Sequence, residues 1–485
     1  MRRRFHRFAF AAVVALLAVH GEAEDNPKIL FILADDLGWA DLGCYGHELF
    51  ETPNLDQLAA EGMRFDAAYS PAPICSASRA AILTGNSTAR NRFEFVVKDE
   101  VGFQPVNARL RAPAYTVDLA LETITIPESL AKTGRPTAFF GKWHLNAHYG
   151  RYLGWSPTHG PQKQGFETAK EDFGNHPYSY WNRKKLRSFD DSVADSTFTE
   201  DGVTQRAIEF IQEKHQEPFF LMLSHFYVHD PNHTRLKWLH DHYLNQLPPD
   251  QENRERIAHY GAMVTTLDHH VGEVLAALAA AGKSDSTLVV FTSDNGGHPN
   301  YAGNAPLRGS KWNLYEGGIR VPFIARWPGV IPAGTQNKTP IWSVDLFPTF
   351  AEITGADASS AKDGVSILPL LKDPDYDLPG RAMVWHFPYY HPESTYDEAP
   401  EGIGVNDGFT TKTKPQSAIR EGDWKLIRFH EDEREELYHI TKDLTEATNL
   451  ADEQTEIREQ LSNSLSTFLK QANARFATPN PDYKP

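Results

Sequence analysis

A chain of 485 residues, 40% hydrophobic, 12% aromatic and 23% charged, can bury a sizeable core and has the composition of a folded globular protein of two domains, or one large domain with an appendage. Its formal net charge of −16 argues against nucleic acid and against broad contact with an anionic membrane, so an anionic ligand has to be captured by a locally basic site. The two cysteines, Cys44 and Cys75, allow one disulfide at most and exclude a cysteine-cage zinc site.

The first 23 residues, MRRRFHRFAFAAVVALLAVHGEA, join a basic start to a short apolar run and to small residues at Gly21 and Ala23. That is the pattern of a cleaved export signal, since the apolar run from Phe8 to Val19 is too short to span a bilayer. Its removal takes away four arginines and Glu22 and moves the net charge from −16 to −19. No later stretch approaches membrane-spanning length, and no cysteine near the cleavage point marks a lipid anchor. The expectation is a secreted or periplasmic protein without a membrane anchor.

KILFILA (28–34) is a continuous apolar strand that ends in Asp35-Asp36. Pro53-Asn54 opens the amphipathic helix NLDQLAAEG, closed by Gly62, and Pro127 and Gly134 bracket another short helix. The strand TAFFG (137–141) runs into Lys142, Trp143 and His144. The helical spacing of 203–216 precedes the strand PFFLMLSHF, which leads to His229. A long helical pattern from Arg254 to Ala281 precedes STLVVFTS and then Asp294-Asn295. Continuous apolar strands separated by helices predict an α/β fold, a large mostly parallel sheet flanked by helices and buried on both faces. Asp35-Asp36, Lys142/His144, His229 and Asp294-Asn295 all fall just past the carboxyl ends of these strands, the edge where open α/β sheets bind ligands.

From about Arg381 the pattern changes to short strands (AMVWHFPY, QSAIREGDWKLIRF and EELYHI) and then a polar helix from Glu453 to about Gln471. This predicts a smaller antiparallel sheet with a helix, packed on the main unit. The expected organisation is a leader at 1–23, a catalytic unit at 24–380 and a C-terminal unit at 381–485.

CSASRAAILTG (75–85) places Cys75 beside Arg79 at the start of a helix. A nucleophile there meets free N–H groups and the positive end of the helix dipole, which favour an oxyanion or a bound sulfate. A structural cysteine would have no use for the adjacent arginine. The stretch resembles the signature of the type I, formylglycine-dependent sulfatases, Cys-x-Pro/Ala-x-Arg followed by Thr-Gly. ILADDLGWADLGCYG, FFGKWHL, FTSDNGG, LRGSKWNLYEGGIRVPFIARWPG and ELYHITKDLTEATNLAD resemble the remaining landmarks in that family's order, from about residue 28 to 452. Ala77 stands where many members have proline.

The resemblance implies that a maturation enzyme oxidises Cys75 to formylglycine, with Arg79 holding the modified side chain. It implies a calcium ion on Asp35, Asp36, Asp294, Asn295 and residue 75; carboxylate and amide oxygens suit a hard cation rather than zinc. It assigns sulfate-gripping roles to Lys142, His144 and Lys311, and leaving-group protonation to His229 or Lys311, of which we favour His229. The reaction implied is in-line attack of the gem-diol on sulfur, giving a covalent sulfate that the second hydroxyl expels. His298, after SDNGG, has a substrate contact or loop packing as its two readings. Asp41 is expected to turn its loop, Cys44 and His225 to sit in the core, and His269-His270 to pack or face solvent. Trp385-His386 and Arg420 belong to the small sheet, which in this family often lines the pocket. The aromatic stretches HYGRYLGWSPTHG and FGNHPYSYW suit a sugar ring, so the expected partner is a sulfated sugar. Two rivals stand beside this reading: a phosphatase, phosphonate hydrolase or phosphodiesterase of the same superfamily, and a non-catalytic glycan-binding protein with Cys75 unmodified.

Overall fold

The structure, a computed structural model, describes residues 26–98, 107–180, 189–215, 217–301, 304–391 and 413–484. The expected leader and part of the aromatic-rich stretch (181–188) lie outside the described residues.

Eight strands form the main sheet: β1 Lys28–Ala34, β2 Met63–Phe65, β3 Thr137–Gly141, β4 Thr168–Lys170, β5 Phe220–Ser224, β6 Thr287–Ser293, β7 Phe323–Arg326 and β8 Thr335–Asn337. Their order across the sheet is β8-β2-β7-β6-β1-β5-β3-β4, and β7 alone runs against the other seven. The strand β1 is central, with Ile29 opposite Phe220 on one side and Leu288 on the other. Its unbroken apolar sequence follows from burial on both faces. The period of two sorts it into two cores: Leu30, Ile32 and Ala34 join one cluster, and Ile29, Phe31 and Leu33 the other.

The first core is covered by the helices α1 Pro53–Ala60, α4 Gly202–Gln212, α5 Lys237–Gln246 and α6 Arg254–Ala280. The second is covered by α2 Cys75–Thr84, α3 Ile126–Ala131 and α7 Leu346–Thr354. The helix α3 begins with a capping box in which Thr125 and Glu128 satisfy each other's backbone N–H groups.

The C-terminal sheet is antiparallel in sequence order: β9 Ala382–Phe387, β10 Gln416–Glu421, β11 Trp424–Phe429 and β12 Arg434–His439. QSAIREGDWKLIRF resolves into β10 and β11, which turn at Gly422 with φ of 58°. The helix α8, Thr455–Gln471, lays Leu461, Leu465 and Leu469 on one face of this sheet, a four-residue spacing that aligns them along one stripe. The other face carries Trp385, Ala418 and Ile427 to Tyr69 and Trp342 of the main unit. Lys425, fully buried, forms ion pairs of 2.9 Å with both Glu316 and Glu446 where the units meet. Among the described residues no helix is long and apolar enough to cross a membrane.

Candidate active site

The helix α2 is buried along its whole length, which its alanines at 77, 80 and 81 permit without crowding. It ends at Gly85 with φ of 64°, where an added Cβ would come within 2.5 Å of Ala361 Cβ. Cys75 is its first residue, and the N–H groups of a first helical turn have no intrahelical acceptors.

Around Cys75 the described residues assemble three carboxylates and three permanent cations from three strand ends, the helix and the loop that carries Lys311. Arg79, one turn along α2, donates from Nε to Asp294 Oδ2 at 2.8 Å and from Nη1 to the Lys142 carbonyl (2.8 Å) and Ser224 Oγ (2.5 Å). One guanidinium thus ties α2 to the ends of β3, β5 and β6. Lys142 Nζ lies 2.5 Å from Asp35 Oδ2, and Lys311 Nζ 2.6 Å from Asp36 Oδ2. Asn295 Nδ2 donates to Asp36 Oδ1 at 2.8 Å, and the Asp36 N–H donates to Asp294 Oδ1 at 3.1 Å. His229 Nε2 is 3.2 Å from Lys311 Nζ and 3.5 Å from Asp36 Oδ2.

Two oxygens are left over. Asp35 Oδ1 and Asn295 Oδ1 are buried without a hydrogen-bond partner among the described residues. Buried polar atoms are ordinarily paired, so these two mark a place for a positive ligand. Asp35, Asp36, Cys75 and His229 each bring a ligand atom within 4.8 Å of one another. Asp294 lies beside this group, accepting from Arg79 on Oδ2 and from the Asp36 N–H on Oδ1. The carboxylate oxygens of Asp35 and Asp36 and the amide oxygen of Asn295 fit a hard divalent cation.

The electrostatics agree. Burial, then the neighbouring Asp35, pushes the Asp294 carboxyl up to about 7. Asp36 stays well below the usual carboxylate range, since Lys311, His229 and Lys142 together overcome the burial that opposes its charge. Burial pushes the Cys75 thiol up to about 12. Burial holds the imidazoles of His144, His229 and His298 well below 6.5, assisted by Lys142 at the first two and by Lys311 at the last two. Asp36, His144 and Trp312 have left-handed backbones, with φ of 62°, 57° and 80°. Such positions cost about 1–3 kcal/mol each and persist where the surroundings over-determine them.

Above this floor a pocket of about 130 Å³ has Cys75, His144, His229, His298 and Lys311 in its lining, space for a compact anion. The sequence-predicted residues therefore converge: five line the pocket, and Arg79, Lys142 and the acidic set lie with them at its base. Asp41 turns its loop, accepting from the Gly38 N–H at 2.8 Å and from the Tyr260 hydroxyl at 2.5 Å. His225 and His270 are buried side by side away from the pocket, and His269 stacks on Phe198. Trp385 donates to the Ser70 carbonyl, and His386 bonds Ser417 and the Arg475 carbonyl, both in packing roles. Cys44 and Cys75 are both free.

Sequence reasoning did not single out Tyr152 and Trp312, which line the pocket, or Tyr178, whose hydroxyl lies 2.8 Å from His229 Nδ1. The two tyrosines fall inside the aromatic stretches, and Trp312 directly follows Lys311, so the signal was composition without position.

A floor of this kind holds a compact oxygen-rich anion against residue 75 and stabilises charge as it develops there, the requirement of a hydrolase acting on oxyacid esters. The oxyacid is given by kinship. Residues 27–356 match the Sulfatase family, and residues 310–472 match "N-sulphoglucosamine sulphohydrolase, C-terminal". The chain belongs to the sulfatase family of the alkaline phosphatase-like superfamily and is a sulfate ester hydrolase. It is 35% identical over 391 residues to N-acetylgalactosamine-6-sulfatase of Mus musculus, covering 74% of this chain and 68% of that one. It is 30% identical over 529 residues to a sulfatase of Formosa agariphila, covering 93% and 90%. A solved structure of Ps i-CgsB with k-i-k-neocarrahexaose shares the fold, with a TM-score of 0.70, 24% identity and 94% of each chain covered.

Proposed function

We propose that this chain is an exported sulfatase acting on sulfated carbohydrates, with Cys75 converted to formylglycine and a calcium ion held by Asp35, Asp36, Asp294, Asn295 and residue 75. The observation that carries the reading is the place of Cys75, first in a buried helix, within reach of Lys142 and Lys311 and beside two buried oxygens that accept no hydrogen bond among the described residues. A thiol held near 12 is a poor nucleophile in its own right, which favours a modified side chain. Hydrated formylglycine supplies two hydroxyls on one carbon, one to attack sulfur and one to expel sulfate. The calcium ion, when bound, polarises the sulfate oxygens and lowers the pKa of the attacking hydroxyl.

The chain's own residues do the rest. Lys142, His144 and Lys311 grip sulfate oxygens, His298 meets the substrate at the pocket wall, and Arg79 fixes Asp294 and residue 75. His229 delivers a proton from Nε2 to the departing sugar oxygen. Three carboxylates against three cations leave the bare floor neutral, so a divalent ion supplies the positive charge that draws an anionic ester into an acidic protein. Tyr152 and Trp312 offer aromatic faces for the sugar ring. The name of the mouse relative makes 6-sulfated N-acetylgalactosamine the first substrate to try. The leader at 1–23, the units 24–380 and 381–485 and a maturation enzyme as partner belong to the same reading.

A mass spectrum of the peptide spanning Cys75, from protein matured in its own host, tests it. Formylglycine is expected at residue 75, and Cys75→Ser made where serine is not converted should lose nearly all activity. An unmodified thiol in fully active enzyme overturns the reading.

A further inference from the structure

A second cavity, of about 600 Å³, opens where the C-terminal sheet meets the β2 and β7 end of the main sheet, and none of its lining is shared with the catalytic pocket. Four cations border it, Arg64, Arg320, Lys338 and Arg420, against the single carboxylate of Asp66. In a chain with a net charge of −16 that is a strong local reversal. Arg320 and Arg420 are 7% and 2% exposed, yet neither guanidinium is used up. Arg320 donates from Nε to the Asp66 carbonyl at 2.7 Å and from Nη1 to Glu316 at 3.0 Å and to the Tyr69 hydroxyl at 3.4 Å. Arg420 donates from Nε to the Gly422 carbonyl at 3.2 Å and from Nη1 to the same Tyr69 hydroxyl. The hydrogen bonds of both guanidiniums run from Nε and Nη1, none is found from either Nη2 among the described residues, and both side chains line the cavity. Trp39 and Tyr45 meet edge to face at 5.5 Å on the same wall, beneath Arg320 and Arg64 respectively.

Buried guanidiniums with spare N–H groups fit a sulfate or carboxylate, and the rings of Trp39 and Tyr45 hold Arg320 and Arg64 at the cavity wall. We propose that this cavity is a second, non-catalytic subsite that binds a sulfated saccharide through its anionic groups. Its position along one sheet edge with the catalytic pocket suits a polymer that is held in one place and cut in another. Free inorganic sulfate shares the chemistry, and the two sources are told apart below.

Calorimetry on the Cys75→Ala protein reads binding without turnover, so the outcome does not depend on the sulfatase reading. The probes are sodium sulfate, a chondroitin 6-sulfate hexasaccharide, a carrageenan hexasaccharide and a desulfated chondroitin hexasaccharide. Two changes are compared in that background: Arg64→Gln with Lys338→Gln, and Thr441→Glu, which places a carboxylate in the cavity from an exposed turn. Both should weaken binding of a sulfated hexasaccharide by at least about tenfold, the loss of one charge-assisted hydrogen bond, and the desulfated probe should not bind there. Weakened binding of sodium sulfate alone, with the hexasaccharides unaffected, overturns the saccharide and assigns the cavity to free sulfate. Unchanged binding of every probe in both proteins overturns the subsite altogether.

Discussion

Replacing His229 with alanine tests the proton-delivery role proposed for it. Nδ1 of His229 lies 2.5 Å from the Asp230 carbonyl oxygen and 2.8 Å from the Tyr178 hydroxyl, whose own proton goes to that same carbonyl at 2.8 Å. A carbonyl oxygen only accepts, so Nδ1 carries hydrogen and Nε2 is the atom left for the pocket. Burial and the ammonium groups of Lys142 and Lys311 keep the imidazole neutral in the free protein. A sulfate ester that engages those two lysines offsets their charge and lets Nε2 take up a proton. A sugar alcohol is a poor leaving group, whereas a nitrophenolate departs almost unaided. General acids contribute about 10²–10⁴-fold, or about 2.7–5.4 kcal/mol at 1.36 kcal/mol per decade. His229→Ala should therefore slow a sulfated sugar by about that factor and barely affect nitrophenyl sulfate. Lys311→Ala, which removes the partner of Asp36 and the proposed grip on sulfate, should slow both alike. The assay is kcat/KM of each variant on the two substrates. Equal losses on both in His229→Ala, with the leaving-group dependence appearing in Lys311→Ala, would refute the assignment.

Tyr178→Phe removes one partner of Nδ1 while Asp230 retains the other, so kcat on the sugar should fall only about 2- to 13-fold, the worth of one hydrogen bond, with KM little changed. Chelation should abolish hydrolysis and lower the melting temperature, calcium but not zinc should restore both, and Asp294→Ala should lose both; full activity in metal-free protein counts against the ion site. Lys425→Met leaves Glu446 buried without its cation, while Glu316 keeps Arg320, and should cost about 3–5 kcal/mol in urea unfolding. Glu446 already stands at about 7 through burial, so without Lys425 the folded state binds more protons than the unfolded one, and the loss should be larger at pH 8 than at pH 6.

The kind of each segment is legible in its own few residues. The unbroken apolar run of Ile29 to Ala34 reports burial on two faces whatever the neighbours are, and a polar pair after an apolar strand reports an edge. Local patterns of this kind reveal the sheet, the small C-terminal sheet and the residue types at the site, because each depends on a few adjacent positions. Only the tertiary structure decided which edges meet. Arg79 and Asp294 are 215 positions apart, and their contact exists because β6 lies beside β1 and α2 packs beneath both. Tyr178 reaches His229 across 51 positions from a four-residue helix, Pro177–Tyr180, in a stretch whose composition was aromatic but whose path no spacing encodes. Arg320 and Arg420 share Tyr69 at the seam of two sheets, a meeting set by how those sheets dock. Strand order and docking depend on the summed burial of whole surfaces, and no short window of residues carries that sum.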